Sequence, residues 1–211
     1  MCESTSLGQF SGFNESNMRK LKLQVQMSID GFVGGPNGEL DWMTWNMDEK
    51  LQDYINALTD SSSTIFLGRK MADGFIRHWM SMLSRPKDES YSFAKKMVDS
   101  QKIVFTRTLD KSDPMVMGWY NTTLATGVLA DEVNSLKNQE GKDIIVYGGA
   151  NFVSNLIAED LIDELHLFVN PVAIGNGLKI FNERTKLLLR ESEQYECGIN
   201  VSVYAPAKNN S

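Results

Sequence analysis

The chain has 211 residues, enough for one domain with a substantial core, or at most two small ones. Its 42% hydrophobic and 23% charged content is that of an ordinary globular protein, and a net charge of -6 argues against a nucleic-acid partner, which calls for a basic face. Two cysteines, Cys2 and Cys197, make no disulfide framework, and two histidines, His78 and His166, exclude a His-rich zinc site; no metal is expected.

Residues 1-18 are rich in Ser, Gly and Asn and read as a flexible tail ahead of one domain over 19-207. They lack a basic-then-apolar leader, and no apolar run approaches the ~18 residues of a membrane span. Cytoplasmic placement is the expectation. Leu21, Leu23, Val25 and Met27 alternate with Lys22, Gln24 and Gln26, so the first strand has one apolar and one wetter face. It runs into Ser28-Ile29-Asp30-Gly31-Phe32-Val33-Gly34-Gly35-Pro36-Asn37-Gly38, a four-glycine loop that reads as a long turn or a flap over a site. Trp42 and Trp45 follow and are expected to pack rather than to stack on a ligand.

Asp48 is placed to cap a helix carrying Leu51, Tyr54, Ile55 and Leu58 at helical spacing. Thr64 to Leu67 is a buried strand ending in Gly68-Arg69-Lys70, before a helix with Met71 and Phe75. A helix over Tyr91-Asp99 leads to a strand over 102-106, ended by Thr106-Arg107. A Trp119-containing loop, a short strand over 122-125 and a helix with Leu129, Val133 and Leu136 come next. Ile144 to Tyr147 then forms a short buried strand, followed at once by Gly148-Gly149 and by helical spacing at Val153, Leu156 and Ile157. A strand over 163-170, a loop ending in Gly175-Asn176-Gly177 and a closing hairpin, roughly 186-195 with 199-205, complete the chain. Strands alternating with helices predict an α/β fold: a mostly parallel sheet covered on both faces, with an antiparallel hairpin at one edge.

In such sheets ligands bind beyond the carboxyl ends of the strands. Three ends are marked here, by Gly68-Arg69-Lys70, by Thr106-Arg107 and by Gly148-Gly149-Ala150-Asn151. They offer backbone amides, a hydroxyl and three cations, a set suited to a multiply phosphorylated ligand. No G-x-G-x-x-G follows a strand and no P-loop is present. On the acidic first helix, Asp48 and Glu49 are explained by the helix dipole, whereas Asp53 is not and is a candidate for anchoring or protonating a substrate.

The order of Ser28-Ile29-Asp30-Gly31, Trp42, Ile65-Phe66-Leu67-Gly68-Arg69-Lys70, Thr106-Arg107 and Val146-Tyr147-Gly148-Gly149 resembles the dihydrofolate reductase superfamily. Leu161 to Leu167, Pro171-Val172 and Gly175-Asn176-Gly177 resemble its riboflavin-biosynthesis reductase branch, over roughly residues 20-205. The resemblance implies the dihydrofolate-reductase-like three-layer fold, NADPH as cofactor and a small heterocyclic substrate, as in 5-amino-6-(5-phosphoribosylamino)uracil reductase. It implies Gly68, Arg69 and Lys70 along the cofactor phosphates, and Thr106 and Arg107 near the 2'-phosphate. Gly148, Gly149, Ala150, Asn151 and Phe152 would surround the pyrophosphate and nicotinamide. Asp30, Trp42 and Asp53 are the candidates for acting on the substrate, and a homodimer is implied. A pterin reductase of the folate type, which needs a buried carboxylate on the first helix, and a cofactor-binding module without turnover remain open as alternatives.

Overall fold

The computed structural model describes residues 18-207, so the tail expected at the N-terminus lies, but for Met18, outside the described residues. Eight strands form one sheet: β1 (Leu21–Ser28), β2 (Ser62–Gly68), β3 (Gln101–Phe105), β4 (Thr122–Ala125), β5 (Asp143–Val146), β6 (Glu164–Asn170), β7 (Leu187–Gln194) and β8 (Asn200–Pro206). Their order across the sheet is β4-β3-β2-β5-β1-β6-β8-β7. Every pair from β4 to β6 is parallel, and β8 joins β6 and β7 antiparallel. The expected α/β class and closing hairpin are both present.

Six helices connect the strands: α1 (Glu49–Asp60), α2 (Arg69–Met82), α3 (Tyr91–Asp99), α4 (Pro114–Met117), α5 (Leu129–Lys137) and α6 (Ala150–Ala158). The apolar side of β1 meets Val133 of α5 and Val153, Leu156 and Ile157 of α6, so these two helices cover one face. On the other face Leu58 of α1, Ala72 and Ile76 of α2 and Met97 of α3 pack on Ile65, Val104 and Ile145. Asp48 caps α1 as the sequence indicates, accepting from the Leu51 amide at 3.0 Å.

The polar face of β1 is the wetter one, as expected; it is half buried, with Lys22 paired to Asp143 at 2.8 Å and bonded to Ser61 at the end of α1. Two local expectations are corrected. The stretch before Trp119 holds the extra helix α4, which Asp113 caps and Pro114 starts. Trp45 is 68% exposed rather than packed.

At the amino end of the sheet Arg19 is buried and ties strands together, donating to Thr64 Oγ1 at 2.6 Å and to the Lys142 carbonyl at 2.5 Å. This end is closed by polar bonds. The opposite end is open.

Candidate functional site

A cleft of about 1010 Å³ lies beyond the carboxyl ends of β4, β3, β2, β5 and β1. Four inter-strand steps of about 4.8 Å make it roughly 19 Å long across the sheet. Gly68, Arg69, Lys70, Thr106, Arg107, Gly148, Gly149, Ala150, Asn151 and Phe152 all line it, so motifs spread over more than eighty residues of sequence meet in one place.

The glycines have separate geometric reasons. Gly149 has φ +88°, a conformation that side chains rarely adopt, and it turns the chain from β5 into α6. Gly68 has an ordinary extended backbone, but a Cβ there would stand 2.8 Å from Phe152 Cβ. Its smallness lets the start of α6 lie against the end of β2. Phe152 in turn leans on Phe105, ring centroids 4.9 Å apart, which fixes α6 beside β3.

Helices α2, α5 and α6 all begin at this cleft, and none has a side-chain cap on its first turn. Their leading amides and positive dipole ends are therefore left for another acceptor. Arg69, Lys70 and Arg107 are exposed, and none is paired with a carboxylate among the described residues. Thr106 is buried and its Oγ1 accepts from the Thr108 and Leu109 amides at 3.1 and 3.0 Å. Its hydroxyl oxygen shapes the turn that presents Arg107. Uncapped helix starts, free cations and the Gly68–Gly149 approach form a cradle that fits a pyrophosphate-bearing nucleotide.

The residues expected to act on the substrate do not line the cleft. Asp53 is exposed on α1, so it is not the buried carboxylate that a folate-type reductase needs. Trp42 donates from Nε1 to the Glu39 carbonyl at 3.1 Å within its own loop. Asp30 holds loops together: it accepts from Ser28 Oγ at 2.6 Å, the Gly175 amide at 2.8 Å and the Ile174 amide at 3.2 Å. The Ser28 hydroxyl foremost, then those two amides, keeps its carboxyl below the usual carboxylate range. The loop after β1 is thereby bound to the loop after β6, and Val33 N and Leu178 N bond to Leu178 O and Gly34 O at 2.9 Å each. It forms a braced wall, not a free flap.

Other lining residues were not among the site candidates. Gln24 and Gln26 reach the cleft from β1, Leu40 and Met43 from the loop beyond it, and Tyr147, part of the Val146-Tyr147-Gly148-Gly149 motif, from the end of β5. Alternation marked the two glutamines as polar but gave no sign that a ligand-sized space lay above them. Tyr147 stacks on Phe75 at 5.8 Å and its hydroxyl lies 3.2 Å from Thr59 Oγ1. Burial pushes its pKa up to about 12, so it stays protonated at neutral pH. No Asp or Glu side chain lines the cleft among the described residues.

A family model described as the RibD C-terminal domain matches residues 19-201. The uncharacterized protein YyaP of Bacillus subtilis (strain 168) is 32% identical over 198 residues, covering 90% of this chain and 97% of its own. Among solved structures, a putative riboflavin biosynthesis protein from Shewanella sp. PV-4 has a TM-score of 0.64 at 22% identity, covering 90% of this chain and all of that one. A diaminohydroxyphosphoribosylaminopyrimidine deaminase/5-amino-6-(5-phosphoribosylamino)uracil reductase from Thermotoga maritima has a TM-score of 0.60 at 16% identity, over 90% of this chain and 57% of that one. Both likenesses establish the fold.

Proposed function

Since the chain belongs to the RibD C-terminal domain family, we propose that it is an NADPH-dependent reductase of a small heterocyclic substrate. The observation that carries this reading is the convergence of three uncapped helix starts and three unpaired cations on one cleft at the switch region of a parallel sheet. The likeness to the deaminase/5-amino-6-(5-phosphoribosylamino)uracil reductase from Thermotoga maritima supports the reaction class.

In this reading Gly148, Gly149, Ala150 and Asn151 hold the pyrophosphate through backbone amides. Arg69 and Lys70 neutralise it, and Arg107, presented by the Thr106 turn, takes the 2'-phosphate. Phe152 fixes the depth of the cradle. Bound there, the cofactor supplies a hydride equivalent for an electron-poor C=N or C=O carbon. The protein contributes alignment and exclusion of water, by way of the wall that Asp30 braces and the apolar Leu40, Met43 and Tyr147. With no carboxylate in the lining, the accompanying proton comes from water in this scheme. Residues 19-207 act as one domain, as a cytoplasmic homodimer.

Calorimetric titration of the purified protein with NADPH and with NADH tests the proposal. Saturable binding with a clear preference for NADPH is expected. Absence of binding to either dinucleotide would overturn it.

A further inference from the structure

Among the described residues two methionines line the cleft, Met43 from the loop after β1 and Met71 from α2. Met71 is the third residue of α2, directly after Arg69 and Lys70, so its own amide is one of the leading amides that no side chain caps. Its sulfur lies over the glycine pair: a Cβ built at Gly148 would stand 3.5 Å from Met71 Sδ. The half-buried side chain packs, as Phe75 and Tyr147 do, against the apolar cluster between α2 and the sheet. The sulfur thus stands where that cluster meets the phosphate cradle.

A thioether there is nearly silent toward an anion, because it is uncharged and accepts hydrogen bonds only weakly. A sulfoxide is not. Its oxygen is polar and seeks donors, which the apolar cluster lacks and the uncapped start of α2 supplies. Turned that way, it occupies amides that the pyrophosphate needs and sets a partial negative charge against the phosphate.

Resting on the reductase reading above, we propose that Met71 is a reversible oxidation site that closes the phosphate cradle. The oxidant is a hydroperoxide. The Met71 sulfur lone pair takes its terminal oxygen, and an S–O bond forms as the O–O bond breaks. The sulfur loses two electrons, and the proton leaves with the other oxygen as water or an alcohol. Thiol-dependent sulfoxide reduction reverses the step. Bound cofactor covers the sulfur, so the empty protein is the form that is oxidised. Met43 lies at the β1 end, away from the cations, and its oxidation leaves the cradle open. Met117 and Met115, 75% and 42% exposed on α4 and outside the cleft, react without consequence for the cofactor.

The test treats the wild type, Met71→Leu and Met43→Leu with hydrogen peroxide, with and without saturating NADPH. Peroxide is then removed, and dithiothreitol reverses sulfenic acid or disulfide at the free Cys197 while leaving sulfoxides in place. Peptide mass spectrometry locates the sulfoxides, and calorimetry gives NADPH affinity before and after. The oxidised wild type is expected to bind at least roughly tenfold more weakly, in step with the Met71 sulfoxide rather than with those at Met115 and Met117. Methionine sulfoxide reductases should restore it. Saturating NADPH should slow oxidation of Met71 and not of Met117. Leucine is close to methionine in volume, so Met71→Leu should stay folded, and from whatever affinity it starts it should lose none to peroxide. Met43→Leu should lose as much as the wild type. Unchanged affinity once Met71 is oxidised, equal oxidation of Met71 with and without NADPH, or the same loss in Met71→Leu would overturn the inference while the cofactor result stood. A Met71 still intact after Met115 and Met117 are fully converted would overturn it equally. Failure of the untreated protein to bind NADPH would remove the reductase reading and this inference with it.

Discussion

Gly68→Ala probes whether the approach of β2 to α6 sets the shape of the cleft. Gly68 has φ -74° and ψ 145°, which alanine adopts freely, so only space is at issue. The new Cβ would lie 2.8 Å from Phe152 Cβ and 3.3 Å from its Cγ. Carbon atoms settle at about 3.5–4.0 Å, so the start of α6 must retreat by roughly 1 Å. Overpacking of this kind costs about 1–3 kcal/mol. At roughly 2–4 °C per kcal/mol for a chain of this size, melting should fall by roughly 2–12 °C. The same retreat would stretch ligand contacts from the first turn of α6 past hydrogen-bonding range, so NADPH affinity should fall with it. Gly74→Ala in α2 is the control. A Cβ there meets nothing within 4 Å, and the helix interior should gain about 0.5–1 kcal/mol. If Gly68→Ala melted with the wild type and bound NADPH unchanged, the closeness of β2 and α6 would not shape the site.

Arg107→Ala should weaken NADPH by roughly 10- to 150-fold, the worth of one charge-assisted hydrogen bond, and leave NADH nearly unaffected; equal losses in parallel titrations would remove Arg107 from the 2'-phosphate. Glu164 is held down to about 2 from an ordinary 4.5, foremost by His166, whose Nε2 stands 3.5 Å from its carboxylate, then by Lys20. Its folded pKa lies below the unfolded one, so its stabilisation is complete above about pH 4.5 and drains away as pH falls toward 2. Glu164→Gln should therefore flatten the acid limb of a urea-stability profile by about 1–3 kcal/mol, and an unchanged slope would show that the carboxylate gains nothing on folding. Asp30→Ala should speed amide exchange at Ile174 and Gly175, whose N–H groups it accepts from; protection equal to the wild type would mean that the two loops are braced some other way.

Local signals carried most of the architecture. Asp48 followed by Leu51, Tyr54 and Leu58 was enough for α1, because a cap and its apolar stripe lie within a dozen residues. Ile144 to Tyr147 ahead of two glycines was enough for the β5–α6 turn. What sequence did not convey was long-range. Nothing in β5 shows that it inserts between β1 and β2, since register is decided by partners as distant as Thr64 and Leu21, both opposite Ile144. The brace from Gln26 through Asn170 to Thr44 joins three distant segments of unremarkable composition. Asp30 was legible as part of a motif, but its hydrogen bonds to a loop some 145 residues on were not, so a loop-holding carboxylate was a candidate for chemistry. The cleft cations were legible because each follows a strand end directly.

The placement of β1 also sets a schedule for the nascent chain. It is made first and lies deep in the sheet, yet its neighbours are β5 and β6, the first of them 123 residues downstream. At about 5–20 residues per second on the ribosome, Leu21 and Leu23 emerge roughly 6–25 s before anything exists for them to pair with. For that interval an alternating apolar strand is bare on both edges, the state most open to chaperone capture or to pairing with another chain. Slowing translation just after Asn170 should help this protein fold, whereas a pause before Asp143 should only prolong the exposure.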